Sequence, residues 1–269
     1  TFDVSLIERH SGVVDVLATA GDNHLGGDDF DERLANLSAD EFAEEYTIDL
    51  RQDHQAWARL LRAAEETKIA LSDEPYATLT LEYIAHDRRQ RPLHIVREVS
   101  RGEFVELIAD LLERTVTCMD QVLNDAHVQP GDIDRVLLVG GSTRIPEVWE
   151  LVSGHMEQIP HDEIDPDTVV ALGAAVQAGI IAGEAIDAVL VDVTPLSLGI
   201  ETATIGITSH LQEDRFATLI RRNTTVPVHK SEVFSTLLPG QSAIHVKVYQ
   251  GEHQVASQNV LLGDFMVED

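Results

Sequence analysis

One stretch constrains the chain more than any other: Ala188-Val-Leu-Val-Asp-Val-Thr-Pro-Leu-Ser-Leu-Gly-Ile-Glu201. Before it, apolar residues recur at helical and short-strand spacing. After it they alternate with period two, and turn signals crowd together. Linkers are usually polar, so a run this apolar, with Asp192 and Pro195 inside it, has two readings. It is a buried strand that ends at Pro195, or a linker that is buried in one state and released in another.

The first half reads in order as a mixture of helices and strands. Thr1–Glu8 alternates Phe2, Val4 and Leu6 with Thr1, Asp3 and Ser5, the pattern of a strand with one polar face. Gly26-Gly27 permits a tight turn ahead of a helical stripe through Phe30, Leu34 and Leu37. A helix from about Gln55 to Leu71 packs Trp57, Leu60, Leu61 and Ala64. On another face of it Glu65, Lys68 and Ser72 stack at i, i+3 and i+7. Those three side chains are either a nucleoside-binding row or a solvated ion pair of small value. Strands over 77–84, with Leu79, Leu81 and Tyr83 on one face, and over 93–99 complete a small α+β unit. Ser100-Arg-Gly-Glu103 then matches a capping box, ahead of a long helix with the stripe Phe104, Leu107, Ile108, Leu111, Leu112, Val116, Met119 and Val122/Leu123 that runs to Pro130-Gly131.

Val136–Val139 is an apolar run of the fully buried strand type, followed by Gly140-Gly141-Ser142-Thr143-Arg144 and by Pro146 at a helix start. Strand, glycine turn and helix start are how a parallel-type sheet offers backbone N–H groups to a ligand. The loop is neither a Walker A sequence nor a nucleophile elbow, since Gly-x4-Gly-Lys-Ser/Thr and Gly-x-Ser-x-Gly are both missing. Asp167 is placed to cap a helix beginning near Thr168. That helix carries small residues through Gly173–Gly179, which allow close packing on a neighbour. Beyond Leu196, short strands at 218–220, 232–237 and 244–249 between turns predict a β-sandwich. In the last of these Ile244, Val246 and Val248 face one way and His245, Lys247 and Tyr249 the other.

Charge narrows the function classes. The net charge of −28 far exceeds the magnitude of about 2–8 usual for a small domain. Such a surface repels nucleic-acid phosphates and anionic lipid, so neither nucleic acid nor membrane is expected as a partner. A generally acidic protein and a salt-adapted source both account for it. Cys118 is the only cysteine, which excludes a disulfide framework and fits a reducing cytoplasm. The 12 histidines form no His-Glu-x-x-His or His/Cys cluster, so no protein-ligated metal is expected.

Four runs in order carry a resemblance: Gly21-Asp-Asn-His-Leu-Gly-Gly-Asp-Asp-Phe-Asp31, Val136-Leu-Leu-Val-Gly-Gly-Ser-Thr-Arg-Ile-Pro146, the 188–201 stretch, and Val233-Phe-Ser-Thr236. Together they resemble the 70-kilodalton heat-shock chaperones over nearly the whole chain. The resemblance implies a multidomain protein. Residues 1–183 would be the second lobe of an actin-like (ribonuclease H-like) α/β ATPase domain with an α+β insert at about 26–107. Residues 184–192 would be an interdomain linker, centred on Val189, Leu190, Val191 and Asp192, and 193–269 an all-β sandwich that binds peptides. It implies ATP or ADP with Mg2+ as cofactors. Thr1 would lie near the terminal phosphate, Asp3 near a magnesium-bound water, and Gly27 at the mouth of the cleft. Glu65, Lys68 and Ser72 would bind adenosine, Gly140, Gly141 and Ser142 would pass the ribose and phosphates, and Asp167 would lie near the nucleoside. Arg144 would stack on adenine, a role that suits a planar, weakly hydrated guanidinium.

For the second half the resemblance implies an extended-peptide channel at Ile200, Thr202, Ala203, Phe234, Leu237 and Ile244, where strand edges give hydrogen bonds and apolar pockets take side chains. The segment 203–217 is longer than in family members, a departure that falls on Ala203 and bears on the peptide preference. Unfolded or extended polypeptides, a J-domain co-chaperone and a nucleotide-exchange factor are the implied partners. The expected function is an ATP-dependent chaperone that couples nucleotide state to peptide release. A non-catalytic peptide-binding module and another actin-like ATPase are the alternatives. The chain opens on Thr1 and stops at Asp269, so a first lobe and a helical lid are expected to be absent, and ATP turnover by this chain alone to be negligible.

Overall fold

The computed structural model describes residues 1–161, 164–185, 189–205, 211–236 and 240–268. The chain falls into two compact units. One comprises Thr1–Val4 and Ala20–Ile186, the other Ser5–Thr19 and Asp187–Asp269.

The first unit is built on α1 (Gly27–Tyr46), α2 (His54–Asp73), the antiparallel pair β3 (Tyr76–His86) and β4 (Pro92–Ser100), and α3 (Arg101–Ala126). Apolar residues at helical spacing (Phe30, Leu34 and Phe42 of α1, Leu60 and Leu71 of α2, Phe104 and Ile108 of α3) close one core with Leu79 and Val99 of the strands. Local chemistry sets the helix starts. The Asp53 carboxylate accepts from Gln55 N and Ala56 N to cap α2, and the Ser100 hydroxyl accepts from Glu103 N to cap α3. The second half of the predicted capping box is diverted, because Glu103 pairs with Arg97 at 2.5 Å. α3 stops at Ala126, short of Pro130, on a left-handed His127 (φ 58°). The expected alternation of β3 breaks at a bulge between Leu81 and Ala85. There Tyr83 (φ 55°) turns outward and Ile84 turns in.

Residues 136–139 depart from the buried strand predicted for them. Val136 and Leu138 pack on a second small core with Met119, Leu123, Val152 and Met156, whereas Leu137 and Val139 are exposed. A single parallel bridge, Leu137 to His161, is their only ladder contact among the described residues. One face of the run is covered by that small core and the other is open, and the alternation follows from that. Pro146 opens α4 (Pro146–His155) as expected. α5 (Val169–Ala182) has no buried residue.

The strands β1 (Phe2–His10) and β2 (Val13–Asp22), of which residues 5–10 and 13–19 belong to the second unit, turn through Ser11 (φ 44°) and Gly12 (φ 91°), the left-handed pair that a two-residue hairpin requires. β5 (Val189–Val191) adds to this sheet parallel to β2, with Val14 opposite Leu190 and Asp15 opposite Val191. The strand therefore ends before Asp192, and Val189 and Leu190 are exposed, unlike a buried strand running to Pro195. Beyond it, Val193 bridges Thr225. A four-stranded sheet follows in the order β7-β6-β8-β9, from β6 (Leu198–Ile205), β7 (Leu211–Ile220), β8 (Ala243–Gln250) and β9 (Val260–Glu268), all antiparallel. β8 alternates as expected. β7 begins earlier than the predicted 218–220, and β9 lies where no strand is predicted. Residues 232–236 form no strand, and Val233 there is almost fully exposed.

Candidate nucleotide and peptide sites

Three separate segments of the first unit meet at Gly27. Lys68 comes from the C-terminal half of α2, Gly27 from the start of α1, and Ser142 from the turn after residue 139. A β-carbon at Gly27 would stand 2.8 Å from Ser142 Oγ and 3.1 Å from Lys68 Nζ, so glycine here is what lets both polar atoms approach the backbone. Lys68 Nζ donates to the Gly27 carbonyl at 3.0 Å and to Asp31 Oδ2 at 2.9 Å. Its exposure is only 8%, and that of Asp31 6%. The sequence offered a solvated Glu65–Lys68 pair as one reading. The lysine is instead enclosed and paired with an acid 37 positions upstream. Burial pushes the Asp31 carboxyl up to about 6; Lys68 opposes the rise, and the charges of Glu65 and Asp28 add to it.

Glu65 stays exposed beside this pair and lines a cleft of about 620 Å³ with Asp28, Asp31, Glu32, Leu61 and Arg62. The Ser72 hydroxyl turns back onto its own helix and donates to the Lys68 carbonyl at 3.5 Å.

A second group forms around Arg144. Gly140 has φ 96°, a conformation that suits glycine, and it starts the turn Gly141–Arg144. Arg144 donates to Asp167 Oδ2 at 2.7 and 3.0 Å and to Asp165 Oδ1 at 3.1 Å. Asp167 is therefore not the cap of α5: its carboxylate is held by Arg144, and its Oδ1 would lie 3.2 Å from a β-carbon at Gly141. α5 starts without a side-chain cap. Arg144 lines a cleft of about 640 Å³ with Asp73, Trp149, His161 and Asp165 among its walls. Asp73, Trp149 and Asp31 belong to the surroundings of these groups, and the sequence reading had given none of them a ligand role. Asp31 was visible as the last residue of the Gly21–Asp31 run. Nothing in its spacing pointed to Lys68.

Thr1 and Asp3 lie against the loop between β2 and α1. The Thr1 hydroxyl donates to Asp3 Oδ2 at 3.4 Å. Gly21 is tucked against Asp3 Oδ1 and Gly26 against the Thr1 nitrogen. Among the described residues no three His, Cys, Asp or Glu side chains are grouped to hold a metal ion.

In the second unit Ile200 lies opposite Val248, so Ile200 and Thr202 share a face with Ile244, Val246 and Val248. Glu201 points the other way and accepts from Lys247 at 2.8 Å, which holds the lysine's pKa up, with Tyr249 alongside. Ala203 falls at the register shift between Thr202 and Thr204. Phe234 is half exposed on a segment outside the sheet, and Leu237 lies outside the described residues.

Comparison with known proteins adds the decisive observation: the family model for Hsp70 protein matches residues 1–269. The chain belongs to the Hsp70 family. It is similar to the chaperone protein DnaK of Thermotoga petrophila, Thermotoga neapolitana and Thermotoga maritima, at 45% identity in each case. Each match covers 98% of this chain and 44% of the relative, so the chain spans less than half the length of these DnaK proteins. Membership of Hsp70 accords with the mixed α/β content and the several sheets. No described helix is long and apolar enough to cross a membrane.

Proposed function

We propose that the chain works as part of an ATP-dependent chaperone. In this reading the first unit binds ATP or ADP with Mg2+, the four-stranded sheet belongs to a β-sandwich that binds extended apolar peptides, and residues 189–192 couple the two. The observation that carries the reading is the meeting of Gly27, Lys68 and Ser142 from three segments, with Arg144 and Asp167 grouped beside Gly141. Lys68 and Glu65 would take the ribose hydroxyls. Gly140, Gly141 and Ser142 would line the path of ribose and phosphates, and Arg144 would present its flat guanidinium to the base. Gly27, with no room for a β-carbon beside Ser142 Oγ and Lys68 Nζ, lets both polar atoms converge on one place where a ligand would lie. Thr1 and Asp3 would stand at the phosphate end, and the bound nucleotide with its metal would supply the energy of the cycle.

Peptide would lie across Ile200, Thr202 and Ile244, with Ala203, Phe234 and Leu237 flanking, and gain main-chain hydrogen bonds from a strand edge. Extended polypeptides, a J-domain co-chaperone and a nucleotide-exchange factor are the partners of this proposal, and a reducing cytoplasm is its setting. The pairing of β5 with β2 supports a coupling role for the linker, since a short exposed strand is easily gained or lost.

The test is titration of a fluorescent, extended, Leu-rich peptide with and without ATP and magnesium. The proposal expects binding, with an affinity that shifts with nucleotide in the parent and not in Val189→Pro, which loses the N–H that donates to the Gly12 carbonyl. Binding that ignores nucleotide in both would leave a plain peptide-binding module. Absence of peptide binding would refute the second-unit assignment.

A further inference from the structure

Asp31 and Lys68 are the only charged side chains buried among the described residues, and the reading above uses only the lysine. An ammonium has three N–H donors. One goes to Asp31 Oδ2 and one to the Gly27 carbonyl. Asp31 Oδ1, 2.8 Å away, receives no hydrogen bond of proper geometry. Two of the three N–H donors are thus spent inside the protein, and the direction of the third is set by the two bonds already made. A ribose hydroxyl is neutral and does not displace a carboxylate from an ammonium, so it takes the remaining N–H.

We infer that Asp31 is the positioning residue for nucleoside recognition: its carboxylate aims Lys68, and the affinity of the site for the nucleoside follows the ionisation of Asp31. This rests on the nucleotide reading of the first unit. The groups that face Asp31 are Lys68 and Glu65 from α2 and Asp28 from its own helix, with Glu32 and Arg62 completing the cleft wall. Burial and the two acids raise the carboxyl to about 6, so the site is fully formed above neutral pH. At about pH 5 it is only about a tenth ionised.

The probe is adenosine, which carries no phosphate to titrate alongside the protein. Calorimetric titration of the whole chain is run at about pH 7.5 and about pH 5. The expected result is an affinity about tenfold weaker at the lower pH, a steady weak affinity without slope for Asp31→Asn, and a retained slope for Asp31→Glu. Arg144→Ala, an exposed member of the site, reports on the nucleotide reading itself and is expected to weaken adenosine at both pH values. Should Arg144→Ala weaken binding while the parent shows no pH slope, the role of Asp31 is overturned and the nucleotide site stands. Should adenosine fail to bind, or bind with indifference to Arg144→Ala, the nucleotide reading falls and takes this inference with it. The parent's slope decides the matter even if Asp31→Asn does not fold.

Discussion

Replacing Lys68 by methionine leaves Asp31 buried without its cation. The size of the effect follows from the site. A carboxyl raised from 3.8 to about 6 disfavours its own ionisation in the fold by about 3 kcal/mol, at about 1.36 kcal/mol per pH unit, and that is with the lysine present. Between those two values the folded chain binds more protons than the unfolded chain. The stability from this group is therefore fully present below pH 3.8 and lost as pH rises through about 6. Breaking a buried pair by removing one partner costs about 3–5 kcal/mol. The expected loss for Lys68→Met is of that size at about pH 7.5 and shrinks below about 2 kcal/mol at about pH 5, where Asp31 takes up a proton. The double variant Asp31→Leu/Lys68→Met is expected to recover most of it. Both tryptophans, Trp57 and Trp149, lie in the first unit, so urea unfolding followed by tryptophan fluorescence reads this unit alone. A loss under about 1 kcal/mol at both pH values would refute the claim that the pair is enclosed.

Other outcomes follow from single contacts. Asp53→Ala removes the acceptor for Gln55 N and Ala56 N and is expected to lower the stability of the first unit by about 1 kcal/mol in the same fluorescence assay. Gly199→Ala puts a β-carbon 2.2 Å from the Ala217 carbonyl oxygen. The β6–β7 ladder must shift to admit it, so the second unit is expected to lose about 1–3 kcal/mol in a circular-dichroism transition while the tryptophan transition stays in place.

Elements whose shape is fixed by near neighbours were readable in the sequence. The stripe of α3 from Phe104 to Leu123 needs only a 3.6-residue period and one apolar partner; seven of its members are buried, Leu107 and Val116 are half-buried, and Cys118 joins them. Lys68 shows the opposite case. Its place on α2 was right, but its burial is decided by Asp31 on another helix, and no local period encodes a contact between helices. Tyr83 leaves the face that alternation predicts because the bulge sets Glu82, Tyr83 and Ile84 against His94 alone. Residues 136–139 look like a central strand by composition, yet strand identity depends on how many neighbours pair with them, and among the described residues the only bridge is at Leu137. Asp167 satisfied the rule for a helix cap and was drawn away by a stronger, charge-assisted partner, Arg144.

β9 has a consequence for how the chain behaves as a particle in solution. It is the outer strand of its sheet, its nine residues are all exposed, and six of them are large and apolar. An open ladder edge flanked by such side chains is an adhesive strip, carried on a chain with net charge −28. At low ionic strength the like charge holds copies apart over tens of ångströms. At about 0.15 M salt the repulsion reaches only about 8 Å, less than the width of two strands with their side chains. Colloidal stability is then set by salt, with clear dilute solutions in weak buffer and rising light scattering as salt is added.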